Sequence, residues 1–155
     1  MAERLPHGYE IHVTGIGPLS ADFDKEAQKD HSKLIFHGAV SVGELYEIVN
    51  DCDVILNPHL PLSDEMGGLF PFKVIEAISS GRVLISTDLP RSGFESVLDG
   101  VIFVQHDVDS FLQAIIEARL HYEGTGKKIS DGAKEAYRRF GEGCVVRMLA
   151  DAEVI

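Results

Sequence analysis

The chain is poor in several features that would assign it to a class at once. It has two cysteines, Cys52 and Cys144, which make neither a disulfide framework nor a zinc signature. No apolar run reaches the ~18 residues that a spanning helix needs. The start, MAERLPHGYEIHV, lacks the long apolar core of a secretory leader. Together these lead to the expectation of a reduced, cytoplasmic protein. Basic residues are scarce: Lys+Arg is 14 against 25 Asp+Glu, for a formal charge of −11. An acidic surface repels phosphate backbones and anionic lipid, which argues against nucleic acid and bare membrane as partners. A local basic pocket is still compatible, because net charge reports only the average field.

Motifs for metal and nucleophile chemistry are absent too. The seven histidines, at 7, 12, 31, 37, 59, 106 and 121, show no metal-ligand spacing. Asp22-x-Asp24 and Asp51-x-Asp53 lie beside turns or helix ends, where Asp commonly caps. No G-x-S-x-G elbow and no Walker lysine motif occurs. The expectation is no metal and no resident cofactor. Cys52 reads as a core residue and His12 as a packed strand side chain, while His37 and His59 read as following strand ends.

What is present is ordinary globular material. The 155 residues are 45% hydrophobic and 25% charged, enough for one domain or for half of a two-domain protein. Short apolar runs alternate with amphipathic stretches. Strands are expected at 9–14, 33–36, 53–56, 83–86 and 101–104. Helices are expected at 22–31, 41–50, 71–80, 109–122, 127–140 and 143–154, with 59–68 as a long loop and 92–98 as a loop or short helix. Ser41 followed by Glu44 predicts a capping box. Pro71 and Gly81 bracket the third helix. Apolar runs without alternation imply strands covered on both faces, hence an α/β fold with a parallel sheet. Ligands of such sheets bind beyond the carboxyl ends of the strands.

Two glycine-bearing turns are candidate sites. Gly15-Ile16-Gly17 directly follows a strand, but G-x-G without a third glycine fits a plain turn as well as a phosphate loop. The second is Met66-Gly67-Gly68-Leu69-Phe70-Pro71, which leads into FKVIEAISSG. Free N–H groups and the helix dipole there favour an anion. Lys73 in the first turn is unfavourable to that dipole unless it neutralises a bound phosphate. Glu76, three residues on, falls on the same side and could accept both hydroxyls of a ribose. A plain surface Lys–Glu pair is the competing reading.

The ordered series VTGIGP, KLIFHGAVSVGELYEIVNDCDVILNP, FPFKVIEAISSGRVLISTDLP and FESVLDGVIFV resembles the C-terminal, donor-binding half of GT-B-type glycosyltransferases of group one (family four). The resemblance covers 9–140. It implies one Rossmann-like domain over 1–155, with helices on both faces of a parallel sheet and 1–8 as an N-terminal tail. It implies transfer of a sugar from a nucleotide diphosphate-sugar, such as a UDP-sugar, in a hexosyltransferase-like reaction. By position, Lys73 would meet the diphosphate and Glu76 the ribose. The backbone of Gly67, Gly68, Leu69 and Phe70 would line the diphosphate or donor sugar, Gly15 and Gly17 would face the donor, and His37, Gly38 and Val40 would lie near the nucleobase. It also implies an N-terminal GT-B domain or partner chain, through which the protein could associate peripherally with a membrane.

The sequence departs from that pattern in three places. Gly68 stands eight residues before Glu76, where many relatives have Glu, and Glu65 lies three residues earlier still. Arg82-Val83 replaces the usual residue-Pro-Val. The family's first strand-helix unit is missing, and that strand is central in the usual topology. The chain is therefore expected to be a fragment, unless Met1–Gly8, a neighbouring chain or a shifted register fills the slot. Two other functions fit these departures: a non-catalytic interaction module, or half of a nucleotide-sugar epimerase.

Overall fold

The computed structural model describes residues 1–59, 72–89, 98 and 101–125, with side-chain detail for 1–59, 74–89, 98 and 101–119. It falls into two compact units, Met1–Cys52 and Asp53–Ile155. The expected helices at 127–140 and 143–154, and the connection 60–71, lie outside the described residues.

The first unit is built on two parallel strands, β1 (Ile11–Thr14) and β2 (Leu34–Gly38). Helix α1 (Ser20–Ala27) makes the crossover between them, as parallel pairing requires. It packs against β2, with Phe23 against Phe36 at a ring-centroid distance of 5.8 Å. Leu34 is buried in this unit. Helix α2 (Val42–Asp51) follows, and its start is as the sequence predicts. Ser41 Oγ accepts from the Glu44 N–H at 3.3 Å, and Glu44 Oε2 accepts from the Ser41 N–H at 2.7 Å. Two otherwise orphaned donors are satisfied by one exchange.

The first eight residues are no loose tail and add no strand. Ala2–Arg4 forms a single 3₁₀ turn, and Ala2 and Leu5 are buried. Lys33 Nζ donates to the Leu5 carbonyl, and Lys29 bridges Glu3 and Glu26 at 3.1 and 2.5 Å. Filling of a strand position by Met1–Gly8 is thereby corrected. Burial of two apolar side chains and two lysine contacts hold this segment in a turn instead.

Among the described residues the second unit holds three parallel strands in the order β3 (Val54–Asn57), β4 (Val83–Ser86), β5 (Ile102–Phe103). Helix α3 (Phe72–Ser79) lies in sequence between β3 and β4. Its Val74, Ile75, Ala77 and Ile78 form a core with Leu84, Leu89 and Leu98, flanked by Ile55, Val101 and Phe103. Helix α4 (Val108–Thr125) packs against β4. It buries Phe111, Leu112, Ala114, Ile115 and Ala118, the i, i+3, i+4, i+7 stripe of an amphipathic helix. The α/β class and parallel pairing expected from sequence are both present.

Three expectations are adjusted. Among the described strands only β4, with neighbours on both sides, is buried for most of its length: Leu84, Ile85 and Ser86 are 2, 0 and 0% exposed. Every residue of β1 and β3 is half-buried, and among the described residues each of these strands has one paired neighbour. The strand expected at 33–36 runs on through His37 and Gly38. Cys52 is half-buried and caps the end of α2.

Two outcomes are expected in denaturant unfolding. Leu84→Ala should cost about 2–5 kcal/mol, as a large-to-small change in a packed core. Ser41→Ala should cost about 1 kcal/mol by removing the cap. The two hydrogen bonds from Ser41 lower the Glu44 carboxyl from its ordinary 4.5. Its contribution should therefore be present above that pH and fade as pH falls through the lowered value. The stability gap between wild type and Glu44→Ala should shrink on acidification below about pH 4.5; a gap that widens would refute the assignment.

Candidate functional site

In a parallel sheet the strand ends that meet ligands are the carboxyl ends. In the second unit these carry a polar cluster that sequence reading missed. Ser86 and Thr87 are both 0% exposed. Burying hydroxyls is costly unless they are paired, and both are. Asn57 Nδ2 donates to Ser86 Oγ at 2.9 Å. Ser86 Oγ donates to the Thr87 carbonyl at 2.8 Å. Thr87 Oγ1 donates to the His59 carbonyl at 2.5 Å. The Thr87 N–H reaches the Asn57 carbonyl at 3.3 Å, and the Val104 N–H reaches the Ser86 carbonyl at 2.9 Å. The available signal was the polar ending shared by two apolar runs, VIL-Asn57 and VLI-Ser86-Thr87.

On α3, Lys73 is the second residue and Glu76 the fifth. Burial of 74, 75, 77 and 78 leaves Glu76 exposed, so its carboxylate is free of the core. The expected cradle residues Gly67, Gly68, Leu69 and Phe70 lie outside the described residues, as does the Lys73 side chain. His59 follows β3 as expected, and is exposed.

Beside this, an open depression is lined by Asp88, Val104, Gln105, Asp109, Ser110 and Gln113, among others. Asp107 caps α4 here: the Ser110 N–H and hydroxyl donate to it at 2.8 and 2.7 Å. Those bonds hold its carboxyl below the usual range. Asp88 and Asp109 give this hollow two carboxylates among its lining residues. Among the described residues, no three His, Cys, Asp or Glu side chains gather to hold a metal ion.

In the first unit the structure brings Gly15, Gly17, His37 and Gly38 to the carboxyl ends of β1 and β2, with Val40 half-buried just beyond. The glycine N–H groups are already committed. Gly15 donates to the Gly38 carbonyl at 2.6 Å, and Gly17 donates to Ser20 Oγ at 2.8 Å. The two glycines therefore offer a ligand close approach rather than their own donors. Gly15 and Gly38 have φ of 114° and 63°, a region that glycine enters without strain.

His37 lies within β2 rather than after it, a correction with a cause. The register slips between Val13 and Thr14, which pair with Phe36 and Gly38, leaving His37 as the extra residue of a bulge. Bulges re-aim side chains. Here His37 Nε2 meets His12 Nδ1 at 3.0 Å, with ring centroids 5.2 Å apart and planes 23° apart. One ring nitrogen donates and the other accepts. Glu10 stands 3.7 Å from the far nitrogen of His12.

A family model described as glycosyl transferases group 1 matches residues 1–119. The match spans every described strand of both units and most of α4. No curated protein matches the chain.

The two glycines of the first turn should separate on substitution. A Cβ at either meets nothing within 4 Å, so sterics with neighbours are silent. Gly15→Ala should cost at least about 1 kcal/mol through backbone strain at positive φ. Gly17→Ala should be nearly neutral. Equal unfolding midpoints for the two variants would contradict this reading.

Proposed function

The chain belongs to the group 1 glycosyltransferases, and from that premise we propose that it is the donor-binding part of such an enzyme, holding a nucleotide diphosphate-sugar for transfer to an acceptor. What carries the reading is α3. Its buried face is filled by Val74, Ile75, Ala77 and Ile78, which leaves Glu76 outside the core, one turn after a lysine in the helix's first turn.

The chemistry follows from charge. When the sugar leaves its nucleotide, negative charge grows on the departing diphosphate. Cations and unpaired helix N–H groups aimed at that charge lower the barrier, and do so most in a water-poor site. On this reading Lys73 and the first N–H groups of α3 offset the diphosphate, while Glu76 accepts from the ribose hydroxyls. The turn at Gly67, Gly68, Leu69 and Phe70 lets the diphosphate approach the backbone. Gly15, Gly17, His37, Gly38 and Val40 serve the donor and its base. No metal is required, since lysine and the helix dipole supply the positive field. A hexose on uridine diphosphate is the first donor to try, and an N-terminal GT-B domain or partner chain would bring the acceptor.

Titration calorimetry with uridine and guanosine diphosphate sugars tests this. Lys73→Ala should weaken binding at least about tenfold, or about 1.4 kcal/mol. Glu76→Gln should weaken it less, because the amide still accepts one hydrogen bond. Unchanged affinity in Lys73→Ala would overturn the assignment of the diphosphate to α3.

A further inference from the structure

The buried hydroxyls at the end of β4 exceed what the sheet needs. Backbone ladder bonds already join β3 to β4 along Val54–Asn57 and Val83–Ser86. Elsewhere in β4 the buried positions are apolar, as at Leu84 and Ile85. At the carboxyl end the pattern changes to Ser86 and Thr87, both wholly buried. The Thr87 hydroxyl makes its bond outside the ladder. It reaches the carbonyl of His59, two residues past the end of β3. From His59 the chain continues into 60–71, the stretch in which the sequence carries Gly67 and Gly68.

We infer that Thr87 is a positioning residue of the donor site: with Ser86 and Asn57 it fixes the peptide at His59 and so sets where the chain leaves β3. The inference rests on the donor-binding reading above for what is positioned, but the anchor itself stands on the observed bonds. Asn57 holds the Ser86 hydroxyl, which donates to the main-chain carbonyl of Thr87, so these two side chains orient the Thr87 peptide while the Thr87 hydroxyl reaches His59. Ser86 has a single hydroxyl proton, and that proton goes to the Thr87 carbonyl. Ser86 Oγ is then available to accept from Asn57 Nδ2. The Thr87 hydroxyl proton goes to His59. No member is left unpaired, which is the condition under which a buried polar network specifies one geometry.

The test uses Thr87→Val, which keeps the branched shape and removes the hydroxyl, and Thr87→Ser, which keeps the hydroxyl and removes the methyl. Two readouts are taken: hydrogen exchange in peptides covering 55–62, with the β1 peptide 9–14 as internal reference, and calorimetric affinity for a nucleotide diphosphate-sugar. In Thr87→Val, exchange across 55–62 should quicken about tenfold through local opening, while 9–14 is unchanged. Affinity should fall about tenfold in the same variant. Thr87→Ser should restore both, which a merely space-filling role would not produce. Unchanged exchange in Thr87→Val overturns the anchor whatever the affinity does. Quickened exchange with unchanged affinity overturns the positioning role. If the wild type binds no nucleotide sugar, the donor-binding reading fails, and exchange still decides the anchor. Should Thr87→Val not fold, Ser86→Ala removes the adjoining link and carries the same two readouts.

Discussion

The second unit depends on burying most of one strand, Leu84 to Ser86 of β4. A strand with neighbours on both sides and helices nearby has no access to water, so every backbone donor and acceptor must find a partner in the chain. β4 meets this by pairing along its length with β3 and at its end with β5. Its buried side chains must then be apolar, or hydrogen-bonded as Ser86 is. Leu84 and Ile85 are apolar, and α3 and α4 supply the apolar stripes that lie near them. The register of this strand also decides what stands at the sheet's carboxyl end. Once Leu84 and Ile85 are fixed, Ser86 and Thr87 follow.

Much of this was legible in the sequence, for local reasons. Ser41 and Glu44 announced α2 because a capping box needs only three residues of spacing. The apolar positions of FKVIEAIS fixed which side of α3 faces inward and left Glu76 outside. Strand existence was readable from short apolar runs, but the extent of burial was not. VIL and VLI look alike, and only pairing distinguishes the central strand from one with a single neighbour. The His12–His37 contact was illegible for a related reason. It needs a register slip between two strands more than twenty residues apart, and no local pattern encodes that. The commitment of the Gly15 and Gly17 N–H groups was hidden in the same way, since one partner lies at the end of β2.

The acidity of the chain gives the donor reading a particular form. A molecule with formal charge −11 does not attract a diphosphate at long range. At physiological salt that repulsion is screened beyond about 8 Å. Recognition must therefore come from groups within contact distance: a lysine, helix N–H groups and glycine backbone.

The hydroxyl network has a direction, because each link passes one proton one way. Asn57 must present its amide NH₂, and not its oxygen, to Ser86. An aspartate at that position would bring two acceptors together, and Ser86 could satisfy it only by turning its proton away from Thr87. Conversion of asparagine to aspartate with age would thus unlock the strand ends. The residue that follows is Pro58, which has no N–H. The ring closure by which asparagines ordinarily lose their amide needs that hydrogen, so the chain carries its own protection at this point.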